Sequence, residues 1–76
     1  MQTIAEKVSV DLRDNVPVLM SWRNRDYHIT KVGLHHSFTE GDILYHTFSV
    51  LSGDLFLKLK FNTKHLIWNL IQIYQE

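Results

Sequence analysis

Hydrophobic positions recur with a period of two along most of this chain, most clearly from Ile43 to Phe61. Two alternating runs, Ile-Leu-Tyr-His-Thr-Phe-Ser-Val-Leu and Asp-Leu-Phe-Leu-Lys-Leu-Lys-Phe, flank Ser52-Gly53, the pattern of a β-hairpin with a two-residue turn. Counting outward from that turn pairs Val50 with Leu55, Phe48 with Leu57, His46 with Leu59 and Leu44 with Phe61, all on one face. One histidine then stands in an otherwise apolar stripe.

The segments on either side read the same way. Residues 1–6 show no pattern, but Lys7 to Arg13 alternates, with Val8, Val10 and Leu12 on one side, and predicts a half-buried strand at a sheet edge. A helix over 2–12 competes, and the two valines favour the strand. Asp14-Asn15 is turn chemistry, and Val16 to Arg23 forms the next strand with Val16, Val18, Met20 and Trp22 on one face. A turn at Asn24-Arg25 would pair Trp22 with Tyr27 and Met20 with Ile29, and would set Arg23 against Asp26 as an exposed ion pair.

From Tyr27 to Phe38 the apolar residues change from odd to even positions, which a regular strand cannot accommodate. A bulge or bend near Thr30 to Gly33 is therefore required. A loop at Thr39 to Asp42 then sets Phe38 against Leu44, Leu34 against Phe48 and Val32 against Val50, with His36 directly opposite His46. A slip by one residue would bring His35 to His46 instead. After a turn at Asn62 to His65, the segment Leu66 to Tyr74 reads as a strand with Leu66, Trp68 and Leu70 inward and Ile67, Ile71 and Ile73 outward. A helix over 64–75 fits the spacing alone. The expected fold is all-β: an antiparallel meander of five or six strands curled into a small SH3-like or partly open barrel, one domain over 1–76.

Composition narrows the functional classes. A chain of 76 residues buries only about 60% of its unfolded surface, so its core is marginal unless a partner extends it. With no cysteine there is neither a disulfide framework nor a thiolate metal site. Eight basic and eight acidic residues cancel, so the clustered positive excess typical of nucleic-acid binding is missing. No secretory pattern or long apolar run is present, which makes a cytoplasmic location and no membrane partner the expectation.

Residues Pro17 to Ile29 carry a Pro, four residues, then Trp22-Arg23-x-Arg25-x-Tyr27-x-Ile29; Gly53 and Trp68-x-Leu70 follow later. With these the chain, over roughly 16–74, resembles short uncharacterised bacterial domains of the Trp-Arg-Gly-Arg-x-Tyr type. Asn24 stands where that pattern has glycine, a substitution that a positive-φ turn tolerates. Some such domains accompany proteins similar to translesion DNA polymerases, so the resemblance implies a link to DNA repair; it assigns no functional residue.

Three kinds of candidate site follow. Facing His36 and His46 could ligate a metal, but zinc needs three or four ligands and no acidic residue is placed beside them unless Glu40 reaches back from the loop, so a hydrogen-bonded histidine pair is the expectation, with no metal or other cofactor. No catalytic motif or paired carboxylates occur, and Ser37 points away from its neighbour His36, so no enzyme is expected. Arg23, Arg25 and Lys31, with Lys58 and Lys60, could meet phosphates while aromatic side chains stack on bases. The favoured reading is a module for protein interaction or self-association, with a homodimer as one form. Its expected surface is Tyr45, Phe56, Lys58, Lys60 and Ile71, a second sheet face less polar than exposure would explain.

Overall fold

Each alternating segment forms a strand in the computed structural model, which describes residues 2–75. The strands are β1 (Gln2–Arg13), β2 (Val16–Trp22), β3 (Arg25–His28), β4 (Lys31–Glu40), β5 (Ile43–Ser52), β6 (Leu55–Asn62) and β7 (Ile67–Gln75). Seven strands replace the expected five or six, and the two terminal segments that could have been helical are strands. All neighbours run antiparallel in one sheet of order β3-β2-β1-β7-β6-β5-β4. β1 is thus a central strand and not an edge: its residues up to Val8 pair with β7, and those from Ser9 onward pair with β2.

The connection between the two edge strands explains the curl. Laid flat, β3 and β4 would be separated by six strand spacings, about 29 Å. Only Ile29 and Thr30 join them, and three peptide steps reach at most about 11 Å. The sheet must roll up, and it forms a curled half-barrel. At the join, Ile29 N–H donates to the Val18 carbonyl at 3.0 Å and Thr30 N–H donates to the Leu51 carbonyl at 2.8 Å. The chain there passes from pairing with β2 to pairing with β5, so it closes one end of the roll.

The turns set the registers, and several differ from expectation. Gly53 alone has positive φ (62°), as a type II′ turn requires at its first central position, so the hairpin turns at Gly53-Asp54. Val50 then meets Leu57, Phe48 meets Leu59 and His46 meets Phe61, a slide of two residues that leaves every side chain on its expected face. Gly41 (φ 63°) and Asp42 likewise make a two-residue turn in place of the expected four-residue loop. Arg23 and Asn24 (φ 51° and 63°) form the β2–β3 turn, so Trp22 pairs with Arg25 and Met20 with Tyr27. Arg23 consequently turns away from Asp26.

Bulges in β2 and β7 redirect side chains. Leu12 pairs with Pro17 while Asp11 pairs with Leu19, so Val18 is the extra residue and buried Pro17 takes the inward place expected of Val16, which is exposed. Leu59 pairs with Leu70 and Lys58 with Gln72, which makes Ile71 the extra residue and returns Ile73 to the core side. Leu66 does not point inward: it lies in the β6–β7 turn with φ 57° and is 72% exposed. Asn62 Oδ1 holds that turn by accepting from the N–H groups of Lys64 (2.9 Å) and His65 (3.0 Å).

The inward stripes of β1, β2, β5, β6 and β7 make one core. Ile4, Val8, Met20, Phe48, Val50, Leu57, Leu59, Trp68 and Leu70 are buried, and Trp22, Tyr27, Val32, Phe61 and Ile73 pack around them. Burying one such side chain is worth about 1.5–3 kcal/mol, the main favourable term for a sheet this small.

Candidate functional site

The sequence change at Gly33 positions the site. Val32 pairs with Val50, yet Leu34 pairs with Ser49, so Gly33 is the extra residue of a bulge, within the stretch where the change of face demanded one. A Cβ on Gly33 would sit 3.3 Å from the Ser49 carbonyl oxygen, a tight approach that favours glycine. Past the bulge, Leu34, His36, Phe38 and Glu40 face outward with Ser49, Thr47, Tyr45 and Ile43, while His35, Ser37 and Thr39 face inward. β4 has no buried residue, and Leu34 and Phe38, expected in the core, are 59% and 40% exposed.

That parity undoes the expected histidine pair. His36 lies opposite Thr47 on the outer face, and Ser37 lies opposite His46. The alternative partner, His35, fills the role: its Nε2 lies 2.7 Å from His46 Nδ1, one nitrogen donating and the other accepting. The His35 ring stacks on Phe48 with centroids 4.3 Å apart and planes 5° off parallel. His35, His46, Phe48, Phe61 and Trp68 line a cleft of about 260 Å³, closed on its other side by Leu12 and Asn15 at the tip of the β1–β2 hairpin. The cleft lies where four-residue β3 stops short of the ten-residue β4, leaving the roll open on that side. Among the described residues, no three metal-binding side chains come together.

The outer face divides into two groups. Lys60 Nζ sits 4.2 Å over the Tyr45 ring and 5.4 Å from the centre of Phe38, and those two rings stack at 5.3 Å. A cation over an aromatic ring is a stabilising contact. Phe56 stacks instead on Tyr74 at 4.7 Å. Because Phe56 pairs with Leu51, six positions along β5 from Tyr45, the two aromatic groups lie about 20 Å apart. Tyr45, Phe56, Lys58 and Lys60 share a face without forming one cluster, and half-buried Ile71 occupies the β7 bulge.

The basic residues do not converge either. Arg23 Nη2 donates to Glu6 Oε2 at 2.7 Å and its guanidinium lies 4.5 Å from the Trp22 ring centre, while Ser21 Oγ donates to Asp26 at 2.7 Å. Arg25 is on β3, four strand spacings along the sheet from Lys58 and Lys60 on β6, whereas Lys31 begins β4, two strands from β6. Sequence reasoning missed the exposed edge. Reading both Gly-Asp dipeptides as type II′ turns would have revealed it, since Gly41-Asp42 fixes Phe38 against Tyr45. The family models, curated proteins and solved structures compared with this chain include no match to it. Among the described residues, no helix is long and apolar enough to cross a membrane.

Proposed function

We propose that this chain is a non-catalytic protein-interaction module that takes up an extended strand along the free edge of β4. The observation that carries the reading is the edge itself: ten residues, none buried, with Leu34 and Phe38 presented on the outer face. Long edges of this kind template strand pairing unless proline, an inward charge or a covering loop blocks them. β4 contains no proline, and its charged residues, Lys31 and Glu40, stand only at its ends. Main-chain hydrogen bonds would supply affinity, and the flanking apolar side chains would select the added strand.

A nucleic-acid contact is the weaker reading. Arg23 is engaged by Glu6 and the net charge is zero, so the positive excess that drives counterion release is missing.

Ser37→Pro tests the strand-addition reading. Ser37 faces its amide away from β5, so proline there removes one donor from the free edge and leaves the β4–β5 ladder intact. Peptides selected by display against the wild-type chain should be extended sequences with alternating apolar residues, and the variant should not bind them. Selection of no peptide, or equal binding by the variant, would reject the edge as the docking site.

A further inference from the structure

Resting on the strand-addition reading, we propose that the physiological occupant of the β4 edge is a second copy of this chain, paired β4 to β4 about a two-fold axis at His36. Hairpin geometry fixes which backbone groups are available. Gly41-Asp42 is closed by Glu40 and Ile43, so Glu40, Phe38, His36 and Leu34 direct their N–H and C=O groups to β5, and His35, Ser37 and Thr39 direct theirs outward. The far side of β5 agrees with this parity, since the Leu44 carbonyl accepts from Thr63 N–H on the β6 side at 3.1 Å.

Two copies of one strand that pair antiparallel and keep like faces together must place the axis on a residue. At His36, Leu34 of each copy meets Phe38 of the other, which covers the exposed apolar side chains of β4 twice over. On the inner face His35 meets Ser37 of the second copy. Beyond Leu34 the Gly33 bulge takes up one residue, so Lys31 falls opposite Glu40 of the second copy on the outer face, again twice. Moving the axis to Ser37 sets Leu34 against Glu40, and moving it to His35 sets Lys31 against Phe38. Only the His36 register matches apolar to apolar and positive to negative. The interface lengthens the sheet and removes the edge that each copy presents alone.

The chain has no cysteine, so introduced cysteines report register directly. At the axis, two Cα atoms of a non-hydrogen-bonded pair lie about 4.5 Å apart, within disulfide range. His36→Cys should therefore oxidise to a covalent dimer, while His35→Cys and Ser37→Cys, each about 7–8 Å from its own copy, should not. Wild-type mass by sedimentation should rise from the 9.0 kDa chain toward twice that value between about 10 μM and 1 mM, and Ser37→Pro should stay monomeric with a native-like amide spectrum. Lys31→Glu should weaken the dimer roughly threefold to tenfold, and adding Glu40→Lys should restore it. A wild-type monomer at about 1 mM, or preferential cross-linking at His35→Cys or Ser37→Cys, overturns the proposal. If the chain is monomeric yet selected peptides still bind wild type and not Ser37→Pro, the self-pairing alone is wrong; if neither occurs, the strand-addition reading falls with it.

Discussion

Leu59 on β6 and Leu34 on β4 both sit in alternating strands of the same sheet, yet Leu59 is 0% exposed and Leu34 is 59% exposed. β6 has a paired strand on each side and the opposite wall of the roll above its inward face, so Leu57 and Leu59 are completely covered. Leu34 is turned to the outer face by the Gly33 bulge, β4 has a neighbour only on the β5 side, and β3 ends before it can flank the part beyond the bulge. Alternation therefore tells which residues share a face. Whether that face is covered depends on how far the neighbouring elements extend. A strand whose pattern promises burial and whose neighbours withhold it is a surface available to another molecule.

Truncation at the two leucines is the strongest way to break this comparison. Leu59→Ala should cost about 2–5 kcal/mol in denaturant unfolding, through lost burial and a residual cavity. Leu34→Ala should change the stability of the monomer by no more than about 0.5 kcal/mol. Comparable losses at both positions would mean that β4 is covered in solution by part of its own chain. A smaller effect is expected at Gly33, which holds the bulge that divides the covered from the uncovered part of β4. A methyl group at 3.3 Å from a backbone carbonyl forces a shift in the strand, so Gly33→Ala should cost about 1 kcal/mol. The loss should appear as faster amide exchange of the residues beyond the bulge, while the β6 amides stay protected.

The strands, the core stripes of β5 and β6 and the place of a bulge near Gly33 were legible because each rests on local alternation, but the bulge turns Leu34 and Phe38 outward where the pattern had it keep them in the core. Trp68 and Leu70 were placed inward for the same reason. The registers were less legible, since a turn moved by one residue at each end slides a hairpin by two and leaves the faces unchanged, as at Gly53-Asp54. The β4–β5 pairing slipped by a single residue, which exchanges the faces, and so His35 and not His36 reaches His46. Bulges at Val18 and Ile71 leave no mark in the hydrophobic pattern, because Val16, Pro17 and Ile73 suit either face. The position of β1 between β2 and β7 depends on pairing the two ends of the chain, and no local pattern encodes that.

A comparably small effect lies at the boundary between the two regions, where His35 lies over Phe48. Two contacts hold the ring there: a near-parallel stack on Phe48 at 4.3 Å and a hydrogen bond of 2.7 Å to His46. The bond is exposed to solvent, so water replaces it readily and its net value is at the low end of about 0.5–1.5 kcal/mol. The stack shields the face of a ring that is itself 8% exposed and belongs to the core. His35→Ala removes both contacts and opens that face to water, with an expected loss of about 1 kcal/mol. His35→Phe keeps the stack and gives up only the bond, with an expected change within about 0.5 kcal/mol. Denaturant midpoints of the two variants against wild type separate the terms. If His35→Phe loses as much as His35→Ala, the imidazole pair, and not the stack, closes this end of the core.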